Sequence, residues 1–329
     1  MTGPAVPVGV VGVGSLGFHH ARILREVPGA QLVGVYDADP ARAAKVGEEL
    51  GVRVFPALEE LLGQVEAAVV AVTTTAHAEV AMAALDRGVH LLIEKPIAST
   101  LEEADRIVAA ADAAGVLVAT GHVERFNGAL RACEPYLDVP RFVESHRLAP
   151  FAGRGTDVAV VLDLMIHDID LVLSLVGSEV SSVRAVGVPI LSPNVDIANA
   201  RLEFADNAVA NITASRVSME RTRKIRFFQN SGYISLDLAA GTGEFLRLKK
   251  GARLPEGEVG PAALLGMVDR VELRGDGAEP LRAELEAWVR AVRGEAPLVV
   301  SGRDGRKALA VALEIMGRIE HNVSSWQPA

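Results

Sequence analysis

The chain has 329 residues, half of them hydrophobic and few aromatic, an ordinary soluble α/β balance with enough length for two domains. Its 42 acidic and 33 basic residues leave a net charge of −9 with no long run of one sign, so neither a nucleic acid nor a membrane is expected as partner. One cysteine, Cys133, excludes an internal disulfide and a multi-thiolate metal site, and no metal is expected. No apolar run approaches membrane-spanning length and the N-terminus lacks a secretory pattern, so the expected location is cytoplasmic.

From Val8 onward, short Val-rich runs alternate with amphipathic segments. "VGVVGVG" precedes a helix over Ser15 to Val27, "QLVGVYD" one over Pro40 to Leu50, and "VRVF" one over Leu58 to Leu62. "AAVVAVT" is followed by Ala78 to Arg87, "VHLLIEK" by Leu101 to Ala114, and "VLVATGHV" closes the series. β-branched runs without polar alternation suit parallel strands buried on both faces, with the helices as crossovers. The pattern predicts a doubly wound parallel sheet of six strands ending near Val123.

Gly12-Val13-Gly14-Ser15-Leu16-Gly17 follows the first strand and opens a helix. In that setting Gly12 makes the tight turn, Gly14 lets backbone approach a pyrophosphate, and Gly17 allows close helix–strand packing, while the helix N-terminal amides face the phosphates. Asp37 ends the second strand twenty positions beyond Gly17, where a carboxylate accepts hydrogen bonds from a ribose diol and repels a 2′-phosphate. The expected cofactor is therefore NAD rather than NADP, although Arg42, one turn into the next helix, partly offsets that repulsion.

Beyond residue 123 the pattern changes to long alternating strands: "RFVESHRLA", "VSSVRAVGVPI", "DIANARLEF", "AVANITASRV", "RKIRFFQ" and "GYISLDL". Asp206-Asn207 and Asn230-Ser231-Gly232 supply hairpin turns. A long helix is predicted over Thr156 to Val176, stopped by Gly177, and a final helix over Arg303 to Glu320. The expected domains are 1–123 and 124–329, with the last helix packing back near the first. In the long helix Asp163 and His167 lie four apart and so on one face. The pair by itself fits a structural hydrogen bond, a half-built metal site or an acid–base couple. No further ligands cluster nearby, and a histidine oriented by a carboxylate suits proton removal from an alcohol near neutrality.

"GVGSLG", Glu94-Lys95-Pro96 at the end of "VHLLIEKP", and "DLMIHDID" together resemble the glucose-fructose oxidoreductase, inositol dehydrogenase and MocA family over essentially the whole chain. The resemblance implies an α/β plus α+β architecture: an N-terminal Rossmann doubly wound parallel sheet and a C-terminal open-faced, mostly antiparallel sheet domain. It implies Lys95, Asp163 and His167 as the catalytic trio of an NAD-dependent dehydrogenase. Two assignments stay open, His167 as proton acceptor with Lys95 on the reacting oxygen, or Lys95 as base with His167 positioning. Cofactor contacts are expected from Gly12, Gly14, Ser15, Leu16, Gly17, Asp37, Thr73, Thr74, His77, Glu94 and Lys95; Thr74 stands where the family's loop usually has proline.

Substrate contacts are expected from Lys95, His122, Arg125, Arg154, Asp163 and His167. Arg147, Arg216, Arg221 and Arg223 are further candidates to hold a diphosphate, each singly better explained as a solvated sheet residue. "GHVERFNGAL" and the later segments resemble a nucleotide-sugar branch, implying oxidation of the 3-hydroxyl of UDP-N-acetylglucosamine, a step toward a 3-amino sugar of lipid A. Dehydrogenation of free sugars or inositols is the alternative, and a noncatalytic dinucleotide-binding sensor a third. His90 is expected to be structural, and His19 and His20 receive no role. The open sheet face implied by the resemblance, which the family generally covers by pairing subunits, makes a homodimer or homotetramer the expectation.

Overall fold

The computed structural model describes residues 4–152, 158–252 and 266–324. Contact density divides the chain into two units, Met1–Phe126 with Glu279–Ala310 and Asn127–Ala278 with Val311–Ala329, each described here by itself.

The first unit opens with β1 (Val6–Val11), α1 (Ser15–Leu24), β2 (Ala30–Tyr36), α2 (Pro40–Leu50), α3 (Leu58–Leu62) and β3 (Ala67–Val70). It continues through α4 (His77–Leu85), β4 (His90–Glu94), α5 (Leu101–Ala114) and β5 (Val118–Gly121). All strands are parallel, in the order β2-β1-β3-β4-β5. Every residue of β3 is buried, which explains its unbroken "AAVV". Helix starts follow their caps: the Asp39 carboxylate accepts from the N–H groups of Ala41 and Arg42 at the head of α2, and Thr100 and Glu103 form a capping box on α5.

The expected strand "VRVF" is only a bridge between Val54 and Val35, held by two backbone hydrogen bonds. Pro56 follows at once and cannot donate to a ladder, so the sheet has five strands rather than six. The strand that ends in Glu94 is accordingly the fourth.

The second unit holds α6 (Gly128–Cys133), β6 (Phe142–Leu148), a π-helical segment Val161–Met165 and α7 (Ile166–Val176). Seven strands follow: β7 (Val180–Val188), β8 (Ile197–Phe204), β9 (Val209–Ser215), β10 (Thr222–Gln229), β11 (Gly232–Asp237), β12 (Thr242–Leu248) and β13 (Val268–Arg274). They form one sheet, β13-β12-β11-β10-β6-β9-β8-β7, antiparallel except for the central β6–β9 pair. Burial alternates along β8 and β10, the signature of a sheet covered on one face. Asn207 takes positive φ (66°) in the expected Asp206-Asn207 turn. Two strands, β12 and β13, go beyond the six expected. They read as charged because they face each other with cross-strand ion pairs, Arg270 Nε to Glu244 at 2.8 Å and Arg247 Nε to Asp269 at 3.8 Å.

The chain then returns to the first unit through α8 (Pro280–Val292) and the start of α9 (Gly302–Ser324). Leu285, Trp288 and Val289 of α8 join Val8, Val10, Ile23 and Leu24 in one apolar cluster, which places α8 in a unit that a division at residue 123 would deny it. Gly305 lets α9 lie against β5: a Cβ there would sit 2.2 Å from Thr120 Oγ1. Arg306 adds a bidentate bond to Asp105 on α5.

Candidate active site

The three glycines after β1 each answer a different steric demand. Gly12 has φ +84°, and a Cβ on it would meet the Ala71 carbonyl at 2.8 Å. A Cβ at Gly17 would lie 1.8 Å from the Gly12 oxygen, so the first turn of α1 can close against the loop only with glycine there. At Gly14, the N-cap of α1, a Cβ would meet nothing within 4 Å; the space beside the helix N-terminus is open, with Ser15 and Leu16 exposed next to it. That space, at a helix N-terminus free of any side-chain cap, fits the pyrophosphate of a dinucleotide.

Asp37, nearly buried at the end of β2, ties the same loop down: Oδ2 accepts from Val13 N–H and Oδ1 from Asp39 N–H, both at 2.8 Å. Oδ2, with that one donor, keeps a lone pair for a ribose hydroxyl. Arg42 Nη1 stands 3.5 Å from Oδ1 on a half-exposed side chain, close enough to soften the carboxylate's repulsion of a 2′-phosphate.

At the carboxyl end of β4, Glu94 is buried and its Oε1 lies 2.6 Å from Nε2 of His20 on α1, which is fully buried. Its Oε2 accepts from Lys95 N–H at 3.3 Å, and the Lys95–Pro96 peptide is cis. Burial alone would raise the Glu94 pKa; the hydrogen bond and charge of His20, with the charge of Lys95, outweigh it and hold the carboxyl below its ordinary value. Thr73 is exposed and precedes the 3₁₀ turn Thr74–Ala76 that leads into α4. His77 lies under that turn, 1% exposed, with Nδ1 at 2.9 Å from the Pro96 oxygen and Nε2 at 3.2 Å from the Val72 oxygen. Burial lowers its pKa despite these two acceptors. Its ring therefore lies between the loop after β3 and the turn after Lys95, with both nitrogens turned to backbone oxygens and one of them donating.

His122 follows β5 and is buried at 1% exposure, and Arg125 lies half-buried in the 3₁₀ turn Val123–Phe126. His90 is structural, its Nδ1 accepting from Leu117 N–H at 2.9 Å. In the second unit, Asp163 and His167 are both half-buried on the stretch that runs from the π segment into α7. The α-helix expected from Thr156 differs here: Thr156 and Arg154 lie outside the described residues, and residue 163 stands in a π turn. Four α steps overshoot a full turn by about 40°, and the wider π turn removes part of that excess, so residue 163 comes more nearly in line with residue 167.

Two of the further candidates for the diphosphate are engaged within the second unit. Arg147 holds Asp168 of α7 through Nε at 2.5 Å and Nη2 at 3.2 Å, and Ser145 Oγ donates to the same carboxylate at 2.9 Å, all three buried. Arg216 pairs with the buried Asp196 at 3.3 Å and donates to the oxygens of Val158 and Val195. A buried guanidinium engaged by a carboxylate of its own fold is poorly available to a substrate. Arg221 is exposed and Arg223 half-buried on β10 and the loop before it. Cys133 is buried and its thiol pushed up to about 12 by burial, so it stays protonated. Among the described residues no group of three His, Cys, Asp or Glu is placed to hold a metal ion, and no helix is long and apolar enough to cross a membrane.

The His20–Glu94 pair was not legible in the sequence, since its partners are 74 positions apart and His20 sits in an ordinary helix. The Asp168–Arg147 pair was hidden for the same reason, beside a histidine that drew attention to Asp163 instead.

Residues 6–122 match the family model described as oxidoreductase family, NAD-binding Rossmann fold, and residues 121–235 match the GFO/IDH/MocA C-terminal domain. The UDP-N-acetylglucosamine 3-dehydrogenase of Acidithiobacillus ferrooxidans is 38% identical over 313 residues, 95% of this chain and 96% of that protein. Its solved structure superposes with a TM-score of 0.88, covering 96% of this chain and 98% of the other. The myo-inositol 2-dehydrogenase of Thermotoga maritima is 26% identical over 336 residues, 96% of this chain and 97% of that protein.

Proposed function

Since the chain belongs to the GFO/IDH/MocA family of NAD-binding oxidoreductases, we propose that it oxidises the 3-hydroxyl of UDP-N-acetylglucosamine to a ketone, with NAD as hydride acceptor. The observation that carries this reading is the 38% identity to a UDP-N-acetylglucosamine 3-dehydrogenase, which runs through both units, against 26% and 31% to inositol dehydrogenases over nearly the same span. NAD, when bound, supplies the nicotinamide carbon that takes the hydride. The open space at Gly14 and the N-terminus of α1 would receive its pyrophosphate, and Asp37 its adenosine ribose.

In this reading His167 takes the hydroxyl proton, and Asp163 fixes its tautomer and favours the imidazolium that forms. Lys95 donates to the same hydroxyl oxygen, orienting it and stabilising the negative charge that develops as the proton leaves. Arg125 is the guanidinium offered to the diphosphate. The protein acts as a homodimer or homotetramer paired through the half-covered sheet of the second unit, which light scattering checks.

Full-span similarity to inositol dehydrogenases favours a second reading, oxidation of a cyclitol or free sugar. A panel of UDP-sugars, free sugars and inositols with NAD and with NADP, followed by nicotinamide absorbance, separates them. Turnover of UDP-N-acetylglucosamine with NAD supports the first; turnover of inositol or glucose alone rejects it, and NAD binding without turnover of any alcohol turns the protein into a dinucleotide sensor.

A further inference from the structure

His20 lies on α1, the helix whose N-terminus opens at Gly14, yet its side chain points to the other end of the first unit's candidate site. It is 0% exposed, and its Nε2 meets Glu94 Oε1 at 2.6 Å, the shorter of the two hydrogen bonds that carboxylate makes. Nδ1 of His20 has no hydrogen-bond partner among the described residues. Nε2 is thus the ring nitrogen that has a partner, and it donates to the Glu94 carboxylate. The opposite carboxylate oxygen accepts the backbone N–H of Lys95 at 3.3 Å. β5 leaves room for this arrangement at Gly121, where a Cβ would stand 3.1 Å from Glu94 Oε2 and crowd the carboxylate out of line. His20, Glu94 and the Lys95 amide thus form one chain of hydrogen bonds that links the cofactor-binding helix to the turn bearing the lysine.

We propose that His20 is a positioning residue for the dehydrogenase reaction: it fixes the Glu94 carboxylate, and the carboxylate fixes the backbone from which Lys95 addresses the reacting oxygen. The inference rests on the reading of Lys95 given above. Glu94 is buried where an ionised carboxylate needs a donor, and the fold supplies that donor from a helix rather than from solvent. Loss of the donor leaves the carboxylate free to rotate or to take up a proton, and either change releases the Lys95 amide. The glycine loop and Asp37 are untouched by that change, so dinucleotide affinity and turnover separate.

The test compares His20→Leu, His20→Gln and Glu94→Gln in the full-length protein. Glutamine at position 20 keeps an N–H donor at the reach of Nε2, leucine keeps only volume, and Glu94→Gln removes the charge without touching α1. Three quantities are read: steady-state kinetics with whichever alcohol of the panel the wild type turns over, NAD affinity by fluorescence titration, and deuterium exchange at the Lys95 amide in the cofactor-free protein. Loss of a hydrogen bond to a charged group predicts that His20→Leu lowers kcat about 10- to 100-fold. KM and NAD affinity stay within about threefold, because the interactions lost are not binding interactions. The Lys95 amide exchanges faster in His20→Leu and in Glu94→Gln, and His20→Gln recovers most of both kcat and protection. Unchanged kcat in His20→Leu overturns the proposal, as does a parallel loss of kcat and NAD affinity, or a glutamine variant no better than leucine. Should His20→Leu not fold, Glu94→Gln with wild-type kcat and wild-type amide exchange overturns it equally. A wild type that turns over no alcohol defeats the substrate reading instead, and the amide exchange then decides this one.

Discussion

In the first unit the polar side chains gather at the carboxyl edge of a sheet whose interior is apolar, with Asp37, Glu94 and the open loop at Gly14 standing at the ends of β2, β4 and β1. In the second unit buried charges lie within the structure and pair with one another, Arg147 with Asp168 and Ser145, Arg216 with Asp196. The contrast follows from sheet type. Parallel strands covered on both faces leave donors and acceptors only at their ends, where a ligand can reach them. A sheet with alternating burial brings a polar residue inward wherever a helix or a loop must be tied to it, and those residues are consumed by the fold. A buried arginine in such a sheet is thus a poorer indicator of ligand than a carboxylate at the end of a parallel strand.

Changes at the two kinds of site should fail in different ways. Lys95→Met is expected to lower kcat by about 10²- to 10⁴-fold with the melting temperature nearly unmoved, measured by initial rates and calorimetry. Arg147→Met should do the reverse, leaving Asp168 buried without its counter-charge at a cost of about 3–5 kcal/mol in denaturant unfolding. Adding Asp168→Leu should return most of that stability, as expected of an ion pair replaced by apolar volume. A raised KM for the UDP-sugar in Arg147→Met at unchanged stability would erase the contrast and restore Arg147 as a ligand.

Asp37→Ala tests a smaller effect, the choice of dinucleotide. Removing the carboxylate while Arg42 stays should move the ratio of kcat/KM for NAD over NADP toward NADP by about tenfold, the scale of one charged contact. The smallest effect concerns acid. Burial pushes Asp196 toward a higher pKa, but the Ser192 hydroxyl and the N–H groups of Ile190, Leu191 and Ser192 prevail, and it is held down at about 2. A group whose pKa is depressed on folding contributes stability above its unfolded value of 3.8, and that contribution is lost as pH falls toward about 2. Asp196→Asn should therefore flatten the loss of stability over that range, measured by urea midpoints at successive pH values.

What the sequence made legible follows the same division. "GVGSLG" and Asp37 could be placed because a tight turn, a close helix and a strand end are local demands that local residues must meet. α8 also carries its signal, proline at its first position and apolar residues at 281, 285, 288, 289 and 292, but it follows the strands of the second unit, and chain order alone does not assign it to the first. β12 and β13 were hidden by charges that pair only across the strands. His20 with Glu94, and Arg147 with Asp168, depend on segments far apart in the chain, and no periodicity reports such a contact.

The most direct test of the proposed reaction uses UDP-N-acetylglucosamine carrying deuterium at the sugar C3, with NAD, and follows the label by NMR. The deuterium is expected to appear at C4 of the reduced nicotinamide and the sugar to become a 3-ketone, with both signals lost in Lys95→Met. Oxidation that leaves the label on the sugar, or a product ketone at another carbon, would contradict that reaction.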